Sequence, residues 1–435
     1  MHSRSILKAI GLFVVAAVLI AIAAACGAAA PQTVVQTVEV VKEVEVEKVV
    51  TVEVEKEVEV EKVVTVEVEK EVEKVVTVEV MVTQEAAEAE ADAPAEAAAP
   101  EDNPYRPSNL FEAAEALKAA TEGQSPPAGA KFAFLTNNMS PFWTAAQIGV
   151  ARASSELNVP IAFQAPTASD LLSQQLSMLE TFVNDGYTGV TFSAIDRQAP
   201  APIIEKAVEQ GTIMLTMDSD ATGSKRAIYI GMSDYDAGRA AAEAALEIIG
   251  TGKVVGLVGF ATAQNAQDRI QGVNDVFEGT DMELVEVLID DVKPEVALSN
   301  AQTAIQKYGD ELAGFITFYS YDGPAACQAI KQADKIGTLK LVAFDAEPET
   351  QACMEEGVVQ AMIGQRVYFY GYLSGYVMYT MSILGQEETM KILDPYLDEF
   401  GEDGKIRLNT GIDVIKADTF DQYKAYLESI GIASQ

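Results

Sequence analysis

Short apolar runs in this 435-residue chain end in residues able to hold a ligand without reacting with it. After Lys131–Thr136 come Asn137, Asn138, Ser140, Phe142 and Trp143, the only tryptophan. Thr212–Met217 is followed by Asp218-Ser219-Asp220, and Lys253–Val258 leads on to Asp268 and Arg269. Ala313–Phe318 is followed by Tyr319-Ser320-Tyr321-Asp322-Gly323, Leu339–Phe344 by Asp345, and Val358–Ile363 by Gly364-Gln365-Arg366. Flat rings cover apolar C–H faces, while carboxylates, guanidinium and amides make paired hydrogen bonds. A polyhydroxylated ring offers both kinds of surface, so the set suits sugar or polyol recognition.

Composition removes other chemistries. The chain holds one histidine, His2, and three cysteines, Cys26, Cys327 and Cys353, with no CxxC pair. Once an N-terminal leader containing His2 is cleaved, triads and histidine-ligated zinc are excluded. The net charge of −36 speaks against nucleic acid as a partner. Gly250-Thr251-Gly252-Lys253-Val254 imitates a phosphate loop but precedes a strand and lacks the terminal hydroxyl residue. Asp398–Gly404 misses the spacing of a calcium loop. No cofactor and no metal are expected, and an enzyme is not, although chemistry using carboxylates alone is the enzymatic alternative.

The positioning elements alternate. Apolar runs expected as strands are separated by helical patterns, the signature of parallel sheets covered on both faces. About ten such strands fall in two series that break near Gly231–Tyr235. The expected fold class is therefore α/β: two doubly wound parallel-sheet lobes joined by a hinge, preceded by a low-complexity stalk. In such sheets ligands sit beyond the carboxyl ends of the strands, where the residues above stand. Hinge crossings are expected near 232–235 and 365–367, with a third toward 393–411. Asp234 is expected to cap the helix Asp234–Ile249. Tyr372, Tyr376 and Tyr379 form a stripe expected to pack between helices. Each candidate also has a structural reading: Phe142 and Trp143 as core, Asp218 and Asp345 as turn residues, Arg269 as a surface residue. Cys327 and Cys353 lie on consecutive expected helices, where buried thiols are favoured over a disulfide.

Six motifs in order carry a more specific likeness: FLTNNMSPFW at 134–143, MDSD at 217–220, DRIQGV at 268–273, VAFDAEPE at 342–349, MIGQR at 362–366 and LNTGIDVI at 408–415. Over about 130–416 the chain resembles the ribose-binding family of periplasmic sugar-binding proteins, the type I substrate-binding proteins of ABC importers. The resemblance implies stacking by Phe142 and Trp143 and hydrogen bonding by Asp218 from the first lobe. It implies ligand bonds from Arg269 and Asp345 of the second lobe, with Gln365 at the hinge. Ser140, Ser219 and Tyr321 stand where ribose binders have other residues, which points to a different or larger monosaccharide. The implied partners are a monosaccharide or polyol ligand and ABC permease subunits. The alternative within this fold is a sensory protein passing sugar or nucleoside occupancy to a receptor.

The N-terminal region reads as an address and a spacer. Arg4 and Lys8 precede an apolar run from Ala9 to Ala25, and Ala23-Ala24-Ala25-Cys26-Gly27 resembles a lipobox, with Ala23 where Leu is usual. Residues 1–25 are expected as a lipoprotein signal and Cys26 as the lipid anchor to the membrane, the alternative being an uncleaved anchor. From Val34 to Thr83 every Glu falls at an odd position and every Lys at an even one, a period-two pattern. Without turn residues, that stretch reads as a stalk, extended or paired with copies of itself, with a coiled coil as the alternative. The expected domains are 26–83, lipidated N-terminus and stalk; 84–129, an acidic Ala/Pro-rich linker with a short helix over Asn109–Thr121; 130–232 plus about 366–393, the first lobe; and 233–365 plus about 411–435, the second.

Overall fold

The computed structural model describes residues 103–432, apart from Ala261. The signal, Cys26, the stalk and the linker as far as residue 102 lie outside the described residues. Among those described, no helix is long and apolar enough to cross a membrane.

In chain order the elements are α1 (Ser108–Ala120), β1 (Phe132–Leu135), α2 (Thr144–Leu157), β2 (Ile161–Gln164), α3 (Leu171–Asn184), β3 (Gly189–Phe192), α4 (Ala201–Glu209), β4 (Ile213–Met217) and β5 (Tyr229–Gly231). After a first crossing come α5 (Asp234–Ile249), β6 (Gly252–Val258), α6 (Gln264–Phe277), β7 (Met282–Ile289), α7 (Pro294–Tyr308), β8 (Leu312–Thr317), α8 (Asp322–Gln332), β9 (Lys340–Phe344), α9 (Pro348–Glu355) and β10 (Ala361–Gln365). The chain returns through α10 (Val367–Leu393), β11 (Leu397–Glu399) and β12 (Lys405–Asn409), then crosses again to β13 (Ile412–Lys416) and α11 (Phe420–Ser429).

Two sheets result, ordered β11-β12-β5-β4-β3-β1-β2 and β13-β10-β9-β8-β6-β7. All pairings are parallel except β11 with β12 and β13 with β10. Alternation along each strand fills a core on either face: Phe132 and Phe134 of β1 enter one cluster, Ala133 and Leu135 another. In the second sheet Val255 and Leu257 face one core, Val254 and Val258 the other. The crossings fall at 232–233, 366 and 410–411, between consecutive elements of different sheets. The chain stays with the first sheet to Asn409, sixteen residues beyond Leu393, because β11 and β12 extend that sheet's edge. These short antiparallel and edge strands were not expected from apolar runs.

Each lobe brings two helices together backbone to backbone. A Cβ on Gly149 of α2 would stand 2.1 Å from Tyr368 O, and one on Gly371 of α10 would stand 2.1 Å from Ala146 O. In the second lobe a Cβ on Gly238 of α5 would lie 2.0 Å from Arg269 O, and one on Gly272 of α6 would lie 2.2 Å from Tyr235 O. Only glycine permits such approach, and the second pair fixes α6, which carries Arg269. The tyrosine stripe packs as expected: Tyr372 and Tyr376 are buried beside α2, and both hydroxyls donate to Glu156 Oε2, at 2.8 and 2.5 Å.

Residues 103–120, within the stretch whose composition reads as linker, are packed against both lobes. Leu110, Ala113, Ala114 and Leu117 of α1 are buried, and Phe111 meets Phe369 of α10 edge to face at 5.0 Å. Upstream, Tyr105 meets Tyr423 of α11 edge to face at 5.2 Å and donates to Thr419 Oγ1 at 2.6 Å. Asn103 Nδ2 donates to Gln422 O at 2.9 Å. The segment thus ties α10 of the first lobe to α11 of the second.

Two expectations are corrected. Ser233, not Asp234, caps α5, its Oγ accepting from Asp236 N at 3.3 Å. Asp234 is the first helical residue, and its side chain turns inward to Arg269. Cys327 and Cys353 are joined as a disulfide, not held as thiols. Their helices α8 and α9 bring the Cα atoms to 6.4 Å, within bridging range. With the two cysteines 26 positions apart in sequence, the chain-entropy account gives the crosslink ~3.5 kcal/mol. A Cys327→Ser variant should therefore melt several degrees below the parent, and a reductant should bring the parent down to the same value. Equal melting temperatures with and without reductant would contradict the crosslink.

Candidate functional site

The strand ends of both sheets face one cleft. Its cavity is lined by all eight residues singled out from sequence: Ser140, Phe142, Trp143, Asp218, Arg269, Tyr321, Asp345 and Gln365. Asn137, Asn138, Asn265, Tyr319 and Ser320 complete the wall. Four of these stand on loops already noted. Asn265 was missed because it opens α6 after a loop without an apolar run, and only its distance from Arg269, one helical turn, marked it.

The two lobes present their carboxylates in the same way. Asp218 follows β4 with φ +60°, and Asp345 follows β9 with φ +65°. Aspartate tolerates this left-handed conformation better than most residues. The Asp218 N–H donates to Ile230 O at 3.2 Å, and the Asp345 N–H donates to Ile363 O at 2.9 Å. The turn after each fourth strand is thereby pinned to the next strand, with the side chain at the cleft. Ser193 Oγ donates to Asp218 Oδ2 at 2.6 Å. Gln365 Nε2 donates to Asp345 Oδ1 at 3.0 Å, and Tyr370 OH holds the Gln365 oxygen at 2.9 Å.

Arg269 sits among three buried carboxylates. Its side chain is 1% exposed, and Nε donates to Asp234 Oδ1 at 2.9 Å while Nη1 donates to Phe318 O at 2.6 Å. The guanidinium lies over the Phe344 ring, 4.5 Å from its centroid. Nη2 is buried without a partner, as is Asn138 Oδ1 on the opposite wall. Arg269 is thus not a surface residue. One cation cannot neutralise three carboxylates. Burial raises Asp345 to about 8 and Asp218 to about 6, in each case against the opposing pull of Arg269. Asp234 is raised as well, again by burial.

The aromatic wall is held by its own contacts. Phe142 and Trp143 meet edge to face at 4.8 Å, and Trp143 Nε1 donates to Asn137 Oδ1 at 3.2 Å. Trp143 is buried against Phe134, so it is core and cavity wall at once. Across the cleft Tyr319 OH donates to Asn265 Oδ1 at 3.0 Å, and Tyr321 OH donates to Asp290.

The lobes are closed. Arg197 of the first lobe donates to Gln267 Oε1 of the second at 3.1 Å and approaches Asp268 at 3.8 Å. Asp220 N donates to Gln264 Oε1 at 3.3 Å. On the other rim the Glu347 carboxylate accepts from the Phe142 backbone N–H. The void between the lobes measures about 30 Å³, room for about two waters, so a larger guest needs the lobes further apart.

Fold and cleft together define a two-lobed α/β protein of the kind that holds a ligand between hinged lobes. Residues 132–387, more than half of the chain, match the family model of the periplasmic binding protein domain, and the chain belongs to that family. It is similar to the D-ribose/D-allose-binding protein of Pseudomonas aeruginosa, 20% identical over 252 residues, covering 56% of this chain and 75% of the relative. It is likewise similar to the D-allose-binding periplasmic protein of Escherichia coli, 23% identical over 250 residues, covering 55% and 80%. A solved ABC-transporter solute-binding protein from Burkholderia graminis, in complex with D-arabinose, shares the fold with a TM-score of 0.57. It is 22% identical and covers 67% of this chain and 96% of its own.

The raised Asp345 value carries a sign. Between its ordinary value of 3.8 and about 8, the folded form keeps a proton that the unfolded form has lost. Stability therefore falls as pH rises through that window. Asp218 adds the same slope up to about 6. In Asp345→Asn, urea midpoints measured from pH 4 to 8 should decline less steeply than in the parent; parallel declines would contradict the assignment.

Proposed function

We propose that the chain is the extracytoplasmic substrate-binding protein of an ABC importer, closing its lobes on a monosaccharide or related polyol. The observation that carries this reading is the cleft itself. A buried guanidinium with one unpartnered nitrogen stands between carboxylates from both lobes and beside an aromatic wall.

In this reading sugar hydroxyls donate to Asp218 and Asp345, while Arg269 Nη2 donates to a ring or hydroxyl oxygen. Phe142 and Trp143 cover the C–H face of the ring. Ser140, Tyr321 and Gln365 shape the remaining wall. Asp218 belongs to the first lobe and Arg269 and Asp345 to the second, so the full set of bonds forms only on closure. Ligand thereby favours the closed state by its differential contacts. The rim contacts of Arg197 and Glu347 add to that state. The closed pair of lobes is the shape that the permease subunits recognise.

Relatives named for sugars support the ligand class, and the family is one of binding proteins, which supports a non-enzymatic role. Cys26 at the end of the apolar run would carry the lipid, and the Val/Glu/Lys stalk would hold the lobes away from the membrane.

A thermal-shift panel of D-ribose, D-allose, D-arabinose, D-xylose, nucleosides and amino acids on the full-length chain in detergent tests the ligand class. A binder present at a hundred times its Kd adds about 2.7 kcal/mol. At least one sugar should raise the melting temperature. A shift with nucleosides or amino acids and none with sugars would overturn the sugar assignment. For the anchor, metabolic labelling with palmitate should mark the parent and leave Cys26→Ser unlabelled; equal labelling would contradict lipidation at Cys26.

A further inference from the structure

Beside the first cavity, a second void lies between the two lobes. The second measures about 430 Å³ and lies beside the crossing at Gln365–Val367. Its walls come from both lobes, chiefly Ala145 and Ile148 of α2, Val367 of α10, and Leu427 and Ile430 at the end of α11. Cavities of several hundred Å³ at domain interfaces, apolar with a few convergent polar groups, are the usual form of a small-molecule site. Phe142, Asp345 and Gln365 line both voids, so the partition between them is one layer of side chains. The first cavity measures about 30 Å³ and this groove more than ten times that.

Three side chains of the groove carry buried oxygens without a partner. Gln351 is 4% exposed, and its Nε2 donates to Ala346 O at 2.7 Å, which leaves Oε1 as an acceptor without a partner. Tyr426 is 3% exposed, and its hydroxyl is buried without a partner. Glu347 Oε1 is a third buried oxygen in the same state. Buried polar atoms are costly unless paired, so these oxygens call for a guest that brings donors. The remaining charged pair is already satisfied: Arg366 donates to Asp413 at 2.8 and 3.2 Å.

We propose that the groove receives the aglycone of a glycoside, so that the ligand is a sugar carrying an aromatic substituent with a hydroxyl group. The sugar ring occupies the small cavity, the substituent passes the Phe142 partition, and its hydroxyl donates toward Gln351 or Glu347. A second sugar ring fits the groove less well, because its several hydroxyls would lie unpaired against aliphatic walls. This inference rests on the sugar-binding reading of the first cavity.

Calorimetric titration of the full-length chain in detergent tests it. The probes are D-ribose, D-arabinose, D-xylose, D-allose and D-glucose, and the 4-hydroxyphenyl glycoside of each in both anomeric forms. At least one glycoside should bind tenfold or more tightly than its parent sugar. Ile148→Trp, which fills the groove at a half-buried position, should remove that gain and leave the parent sugar within twofold. Thr144→Trp, at an exposed position on the same rim, should reduce the gain if Ile148→Trp does not fold. A free sugar that binds while each of its glycosides binds equally or more weakly would overturn the inference and leave the sugar reading intact. A gain that survives the folded groove-filling variants would also overturn it. No binding by any sugar or glycoside would remove the sugar reading, and the inference with it.

Discussion

The site depends on a charge imbalance. One buried guanidinium, Arg269, faces Asp218, Asp234 and Asp345, all of them buried. Asp234 is answered by a direct ion pair at 2.9 Å. The other two carboxylates are left to burial, which raises both, and Arg269 keeps one nitrogen unpartnered. An isolated buried charge is held only when it is paired and hydrogen-bonded. The residues of the cleft meet that condition in part, and in the proposed reading a ring of hydroxyl groups, each both donor and acceptor, completes it. In the proposed reading, affinity for a polyhydroxylated guest comes from polar groups whose desolvation the fold has already imposed.

Everything around Arg269 serves to hold that arrangement. Gly238 and Gly272 let α5 and α6 meet at backbone contact, which brings Asp234 on one helix against Arg269 on the other. The turns after β4 and β9 repeat a left-handed aspartate pinned to the next strand. The same geometry in each lobe points one carboxylate into the cleft from either side. The segment from Asn103 to Ala120 spans the lobes away from the site, tied to α11 at Tyr105 and packed on α10 through Leu110 and Leu117. Opening must therefore work against, or carry along, a strap that connects to the N-terminal region.

Much of this was legible before any coordinates. The strand-end rule for doubly wound sheets needs only the order of apolar runs and led to the loops; the family resemblance narrowed them to eight residues that line one cavity. Asn265 escaped because it opens a helix instead of closing a strand. β11, β12 and β13 escaped because short strands at or next to a sheet edge mix polar and apolar residues, as Lys405–Asn409 does. The disulfide was misjudged since sequence places Cys327 and Cys353 on neighbouring helices but does not say which helical faces meet. Asp234 was misread as a cap because a carboxylate before a helix fits that role equally well. Its burial depends on Arg269, 35 residues away. The strap was hidden by its neighbours: it follows an acidic, Ala-rich stretch and reads as linker until its few apolar residues find α10.

Trp143 is the only tryptophan in the chain and lines the cavity, so its fluorescence reports occupancy without a label. The most direct test is to titrate a sugar that raises the melting temperature into the parent chain and into Arg269→Gln, following Trp143 emission, with the melting curve of each confirming that it is folded. The account predicts a saturable change in the parent and a midpoint shifted upward by roughly ten- to a hundredfold in the variant, the scale of a hydrogen bond to a charged group. Equal midpoints in two folded proteins would contradict it, since the guanidinium would then take no part in holding the ligand.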